Sequence, residues 1–168
     1  MKAAALLREY PAASVLAYFA CENEVPTNEL IELAARSGRA VYLPQSASGA
    51  VVRWQAGAAL AIGPGGVSEP TGVALHGMCP EIAFIPVVAW NRQGTRLGRG
   101  GGFYDRLLGR CTQTLRIGLA YEFQEYADIP RDPWDVALHY VITERRVVCC
   151  GQSGEVAPTR LQKGGMRT

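Results

Sequence analysis

The feature that most limits how this chain can fold is a junction near its middle. An apolar run, residues 81–90, feeds the stretch Arg-Leu-Gly-Arg-Gly-Gly-Gly-Phe-Tyr-Asp-Arg at 96–106. Four glycines (Gly98, Gly100, Gly101, Gly102) fall within five residues, interrupted only by Arg99. A short helix is expected over 103–110, with Leu107 and Leu108 on its apolar side. Strand, glycine loop and helix in that order form an arrangement that receives phosphate. Glycines let successive backbone N–H groups face one point, and a helix N-terminus adds partial positive charge. The competing reading is a tight surface turn, for which four glycines between two arginines would be unusual. The stretch is neither a Walker loop, since no Gly-Lys-Ser/Thr follows, nor the Gly-x-Gly-x-x-Gly dinucleotide pattern. Arg96 and Arg99 supply forked donors suited to phosphate oxygens. Asp105 would repel a phosphate unless a cation such as Mg2+ lay between them, or it simply favours the first helical turn.

The surrounding pattern alternates strand and helix. Residues 1–8 read as a short helix and 14–20 as a first strand. A second helix spans 28–36, capped by Thr27 and stopped by Gly38, and a second strand spans 40–43, ended by Pro44. Val51, Val52 and Trp54 suggest an edge hairpin, and 63–72 a loop. The run 81–90 reads as a central strand, apolar on both faces. Further strands are expected at 115–121, 136–143 and 146–150, with a turn of helix within 122–132. A strand–helix–strand opening favours a parallel sheet. The expected organisation is one α/β domain over 1–150 and a loose Gly-rich tail over 151–168.

Of the 168 residues, 48% are apolar and 19% charged, and the net charge is +2. That balance suits a globular chain and argues against a nucleic-acid or membrane-surface partner. No apolar run reaches membrane-span length, and the N-terminus does not read as a signal peptide, so a cytoplasmic protein is expected. The five cysteines (Cys21, Cys79, Cys111, Cys149, Cys150) lack C-x-x-C spacing and are read as reduced thiols. His76 and His139 are read as structural.

The residues at 96–106 resemble the signature of the 5-formyltetrahydrofolate cyclo-ligase family, also called methenyltetrahydrofolate synthetases. Other stretches agree in order: Glu24 with Thr27, Val41-Tyr42-Leu43-Pro44, Glu69-Pro70, Ile85-Pro86-Val87-Val88-Ala89-Trp90, residues 117–121, Trp134-Asp135 and Val141-Ile142-Thr143-Glu144. The resemblance implies a three-layer α/β/α fold with a mainly parallel sheet. It implies the ATP-dependent cyclisation of 5-formyltetrahydrofolate to 5,10-methenyltetrahydrofolate, with ADP and phosphate released. Position by position, Arg96, Leu97, Gly98, Arg99, Gly100, Gly101, Gly102, Phe103 and Tyr104 would hold the ATP phosphates. Arg99 through Phe103 would also face the folate's formyl end, with Arg99 and Tyr104 acting on the reacting groups. Asp105 and Asp135 would hold Mg2+, and Phe19 and Glu24 would receive the pterin. Read from the residues alone, Glu24 is a solvated loop acid and Asp135 a turn residue. A monomer is expected.

The resemblance has departures. The family's upstream helix carries Lys-x-x-x-Arg, a spacing that Lys2 and Arg8 lack. Glu81, Val87 and Trp90-Asn91 replace the family's usual residues before the signature, and Gln45 follows Pro44 where a basic residue is common. The expectation is an active but weaker enzyme; the alternative is a folate- or nucleotide-binding relative without turnover. A phosphosugar binder using the same loop is the third reading.

Overall fold

A computed structural model of the chain describes residues 2–151. In chain order the elements are α1 (Lys2–Glu9), β1 (Ser14–Leu16), α2 (Asn28–Arg36), β2 (Ala40–Gln45), β3 (Ala50–Trp54), β4 (Leu60–Ile62), β5 (Ser68–Pro70), β6 (Ala74–Leu75), β7 (Ile82–Pro86), β8 (Ala89–Trp90), β9 (Arg96–Leu97), α3 (Phe103–Leu108), β10 (Leu115–Leu119), β11 (Tyr140–Ile142) and β12 (Val147–Cys149). Eight strands form one sheet in the order β12-β11-β10-β7-β1-β2-β3-β6. The five central strands pair in parallel, and β3, β6 and β12 add antiparallel edges.

Alternation along the central strands sorts side chains onto two buried faces. On β7, Ile82 and Phe84 join one apolar cluster, while Ala83 and Ile85 join the other. The first cluster is closed by Leu6 and Leu7 of α1 and by Leu30, Ile31 and Ala34 of α2. The second is closed by Leu107 and Leu108 of α3 together with Trp90. Helices therefore cover both faces, which is the expected three-layer α/β/α arrangement with a mainly parallel sheet. The expected tail over 151–168 lies, beyond its first residue, outside the described residues.

Helix α2 has the bounds expected of it, and Gly38 ends it with φ +79°. Thr27, however, does not cap with its side chain. It is fully buried, and its hydroxyl donates to the Tyr18 carbonyl, tying α2 to the segment that leaves β1. The strand at 14–20 is shorter than expected: its ladder pairing ends at Leu16, with one further bond from Ala17 N–H to the Tyr42 carbonyl at 3.0 Å. Strand β2 runs past Pro44 to Gln45, since its partner there is the antiparallel β3, where Pro44 faces Val51. The expected loop at 63–72 contains a turn of 3-10 helix at Pro64–Gly66 and strand β5, which pairs with β4 in a separate ribbon.

The largest revision concerns the run 81–90. It leaves the sheet at Pro86 and re-forms as β8, paired with β9 in a hairpin. Val88 N–H donates to the Leu97 carbonyl at 2.9 Å, and the Asn91 side-chain oxygen accepts the amides of Gln93 (3.1 Å) and Thr95 (2.9 Å). Apolarity alone cannot distinguish a long buried strand from a short one followed by a buried hairpin. Likewise, 136–143 pairs as a strand only over Tyr140–Ile142. Before that, Ala137 O accepts from Arg116 Nε (2.8 Å) and Leu138 N–H donates to Gly94 O (2.9 Å), so side chains and a loop take the place of a ladder. The strands expected at 115–121 and 146–150 are each present but shorter.

The reading of all five cysteines as thiols is corrected for two of them. Cys79 and Cys111, 32 residues apart in sequence, are joined by a disulfide with Cα atoms 5.3 Å apart. It ties the loop before β7 to the chain leaving α3, and spacing in sequence could not foretell that approach. Cys21, Cys149 and Cys150 are free. Closing a loop of this size contributes about 4 kcal/mol, so reduction should lower the melting temperature by roughly 10 °C, measured with and without dithiothreitol. An unchanged melting curve would remove that contribution.

His139 has the structural role expected of it. Its Nδ1 accepts the Arg116 amide (3.0 Å), and Arg116 Nη2 lies 2.8 Å from Nε2. Burial first, and then the Arg116 charge, push its pKa from 6.5 down to about 4. The folded state thus favours the neutral ring. Its contribution is complete above pH 6.5 and is lost as pH falls toward 4. Melting temperature should therefore fall across that window, and a His139→Gln variant should show a flatter slope.

Candidate functional site

In an open parallel sheet, ligands settle outside the carboxyl ends of the strands where the winding direction reverses. Here β1 lies between β7 and β2, and the chain runs from β1 to β2 on one side before returning to β7 on the other. Segments leaving those strands meet at this point: Tyr18, Phe19, Cys21, Glu22 and Glu24 after β1, Leu43 and Pro44 on β2, and Pro86 and Val88 at the end of β7. They line a cavity of about 1250 Å³, completed by residues 96–106, Glu69, Trp134 and Asp135. A single drug-sized ligand occupies roughly 300–1,000 Å³, so this space accommodates more than one small molecule. Every site residue expected from the sequence lines it.

The glycine loop forms one wall. Gly100 (φ +83°) and Gly102 (φ +59°) adopt left-handed backbone, and a Cβ at Gly98, Gly100 or Gly101 would meet nothing within 4 Å. Among the described residues, the amides of Gly98, Arg99, Gly100 and Gly101 donate no hydrogen bond. Unspent N–H groups on a glycine-rich bend facing a cavity are what an anion requires. Helix α3 has six residues, so the loop amides contribute more here than the helix dipole.

The two arginines of the loop do different things. The Arg96 side chain is only 6% exposed; its Nη2 donates to Asp105 Oδ1 at 2.8 Å and its Nη1 to the Val136 carbonyl. Val136 N–H donates to the same Asp105 oxygen at 2.9 Å. Arg96 therefore locks Asp105 against the segment that carries Asp135, bringing together two carboxylates separated by thirty residues of sequence. Asp135 Oδ2 accepts the Asp132 amide at 2.8 Å. No group of three or more His, Cys, Asp or Glu able to hold a metal is found among the described residues. Arg99, by contrast, is exposed and pairs across the cavity with Glu22. Glu22 is the non-glycine described residue with a positive φ, +52°, a conformation that costs about 1 kcal/mol or more.

Tyr104 packs edge-on against Phe103, with ring centroids 5.2 Å apart. Burial and the nearby Glu24 raise its pKa far above the ordinary phenol range, outweighing Arg96, so its hydroxyl stays protonated. Burial does the same to Tyr18, whose hydroxyl donates to Val25 O at 3.0 Å. Tyr104 can therefore donate a hydrogen bond but cannot act as a base near neutral pH. Phe19 stacks edge-on with Trp54 at 6.4 Å, and Glu24 Oε2 accepts the Cys21 amide at 3.0 Å. Sequence reasoning passed over Glu22 and Glu69 as site residues. The dipeptide Glu69-Pro70 is visible in the sequence, but only the fold brings that carboxyl to the cavity wall.

Fold and site together define a three-layer α/β protein with an anion-receiving glycine loop at the switch point of its sheet. The chain also matches the 5-formyltetrahydrofolate cyclo-ligase family over residues 1–144. It is 30% identical over 148 residues to the 5-formyltetrahydrofolate cyclo-ligase of Haemophilus influenzae, covering 82% of this chain and 79% of that protein. The Escherichia coli K12 enzyme of the same name is 29% identical over 161 residues, covering 87% and 88%. Among solved structures, Aquifex aeolicus 5,10-methenyltetrahydrofolate synthetase superposes with a TM-score of 0.74 at 29% identity, covering 93% of this chain and 83% of that one. This chain belongs to the 5-formyltetrahydrofolate cyclo-ligase family.

Proposed function

We infer that the protein is an ATP-dependent 5-formyltetrahydrofolate cyclo-ligase, closing the N5-formyl group onto N10 to give 5,10-methenyltetrahydrofolate, ADP and phosphate. The observation that carries the reading is the row of unspent amides on the glycine loop, opening into a cavity large enough for two substrates.

The chemistry asks for alignment and charge stabilisation more than for a protein nucleophile. The formamide oxygen attacks the γ-phosphorus, and the bond to ADP breaks. This converts a poor leaving group into phosphate on an iminium-like carbon. N10 then bonds to that carbon, phosphate departs with the former formyl oxygen, and N10 loses its proton. The amides of Gly98–Gly101 would hold the phosphate oxygens, with Arg99 released from Glu22 to join them. Tyr104, as a neutral phenol, would donate to an oxygen of the transferring group. Phe19 and Glu24 would receive the pterin ring.

The carboxylates of Asp105 and Asp135 suit Mg2+, which is commonly held by one or two carboxylates together with substrate phosphates. Both hydrogen bonds to Asp105 fall on Oδ1, which leaves Oδ2 for a cation. A bound Mg2+ would neutralise charge on the β- and γ-phosphates. Folding as a single unit over 1–150 and acting as a monomer belong to the same reading.

The test follows methenyl absorbance from 5-formyltetrahydrofolate. Signal is expected only with ATP and Mg2+ both present; its absence at high enzyme and ATP would overturn the reading. A subtler outcome concerns Arg99. Because Glu22 competes with the triphosphate for it, a Glu22→Gln variant should lower KM for ATP by about two- to fivefold, the worth of an exposed ion pair. An unchanged or raised KM would mean that Arg99 does not serve the nucleotide.

A further inference from the structure

Glu69 is a carboxyl that the fold buries and then leaves short of partners. It is 6% exposed, although it sits on β5 of a two-stranded ribbon whose other strand, β4, is exposed throughout. Its Oε1 accepts the Ser46 amide at 3.0 Å. Among the described residues no cation pairs with it, and Oε2 carries no hydrogen bond. Oε2 is not among the side-chain atoms sealed inside without a partner, so it keeps some exposure, on a residue that lines the cavity.

The backbone around it is arranged to keep it there. A Cβ on Gly63 would lie 2.3 Å from Glu69 Cδ and 2.6 Å from Oε2, so the ribbon needs glycine opposite the carboxyl. Gln45 Nε2 donates to Pro70 O at 3.4 Å, holding β5 against the end of β2. A carboxyl offers roughly four lone-pair sites, and one is used here. Burying such a group without partners is unfavourable, so an open, unspent oxygen points to a donor supplied from outside the chain.

The neighbours say what kind of donor. Leu43, Pro44 and Val67 line the same cavity and are apolar. An acceptor held beside apolar walls, with Ser46 and Ser68 next to it on the lining, suits a flat heterocycle that carries N–H groups at its edge. We propose that Glu69 is a binding residue whose Oε2 accepts a hydrogen bond from the amino-substituted edge of a heterocyclic substrate. This rests on the reading above, which supplies two such rings: the pterin, with its 2-amino group, and the adenine, with its 6-amino group.

The experiment pairs a Glu69→Gln variant with substrates that lack the donor. KM for 5-formyltetrahydrofolate and for ATP is measured separately on wild type and variant, alongside the 2-desamino folate analogue and purine riboside triphosphate. In the variant one KM should rise at least about tenfold with kcat changed less than about threefold, consistent with loss of a hydrogen bond made in binding. The matching desamino analogue should lose about tenfold on wild type and little more on the variant. A rise confined to the folate assigns the pterin; a rise confined to ATP assigns the adenine. Both KM values within twofold of wild type would overturn the proposal. If the variant does not fold, equal binding of amino and desamino ligands by the wild type would overturn it as well. If the wild type shows no turnover, calorimetric dissociation constants for the same ligand pairs separate failure of this inference from failure of the proposed reaction.

Discussion

Replacing Asp105 by Asn is expected to reduce kcat/KM about a thousandfold, or about 4 kcal/mol of transition-state stabilisation. Two losses combine. The neutral amide is a poor partner for the cation that would neutralise the triphosphate, and this is the larger loss. The ion pair with Arg96, whose side chain is 6% exposed, is replaced by a weaker neutral hydrogen bond. Asn keeps an oxygen able to accept the Val136 amide, so the segment carrying Asp135 should stay in place. Stability should therefore fall by only about 1–2 kcal/mol. The two effects separate experimentally: a thermal melt reads the second, and a Mg2+ titration of the methenyl assay reads the first, expected as a large rise in the Mg2+ concentration needed. A variant retaining more than half of wild-type activity would remove Asp105 from the phosphate end of the reaction.

The second large effect is on folding and comes from a glycine outside the signature. Gly94 turns the hairpin between β8 and β9 with φ +87°, and its carbonyl accepts the Leu138 amide at 2.9 Å. A Cβ there would lie 2.4 Å from the Leu138 carbonyl oxygen and 3.2 Å from its nitrogen. Both are backbone atoms that cannot rotate away, and the left-handed conformation adds its own strain. Gly94→Ala should cost about 3 kcal/mol or more, lowering the melting temperature by roughly 10 °C in a chain of this size. The hairpin delivers the chain into the glycine loop, so protein that still folds should also bind ATP more weakly. Gly98→Ala is the control: a Cβ there meets nothing within 4 Å, and its φ is not positive. It should melt like wild type, and comparable losses in both variants would show that steric contact at Leu138 is not the cause.

How far the sequence reaches is clear from particular residues. Apolar periodicity located α2 with its observed bounds and made β7 central, because a strand buried on both faces must be apolar on both. The glycine cluster announced the loop, because backbone with positive φ at Gly100 and Gly102 is written directly in residue type. What stayed hidden depends on long-range approach. Nothing local says that Arg96 would be buried against Asp105 and Val136, or that the chain would break at Pro86 into a hairpin. Thr27 looked like a cap, yet tertiary burial gave its hydroxyl a nearer acceptor in Tyr18. Cys79 and Cys111 show no pairing signal, since only the packing of α3 on the sheet brings them together. Glu69 is the same case within the site: its residue type was visible, but its burial and its open oxygen were not.

The central claim is that the amides of Gly98–Gly101 grip a triphosphate. The most direct measurement is a crystal structure of the protein with a nonhydrolysable ATP analogue and Mg2+. The account expects phosphate oxygens within hydrogen-bonding distance of those amides, about 2.7–3.2 Å, with Arg99 turned away from Glu22. A nucleotide bound elsewhere in the crystal, with the glycine amides facing water, would contradict it.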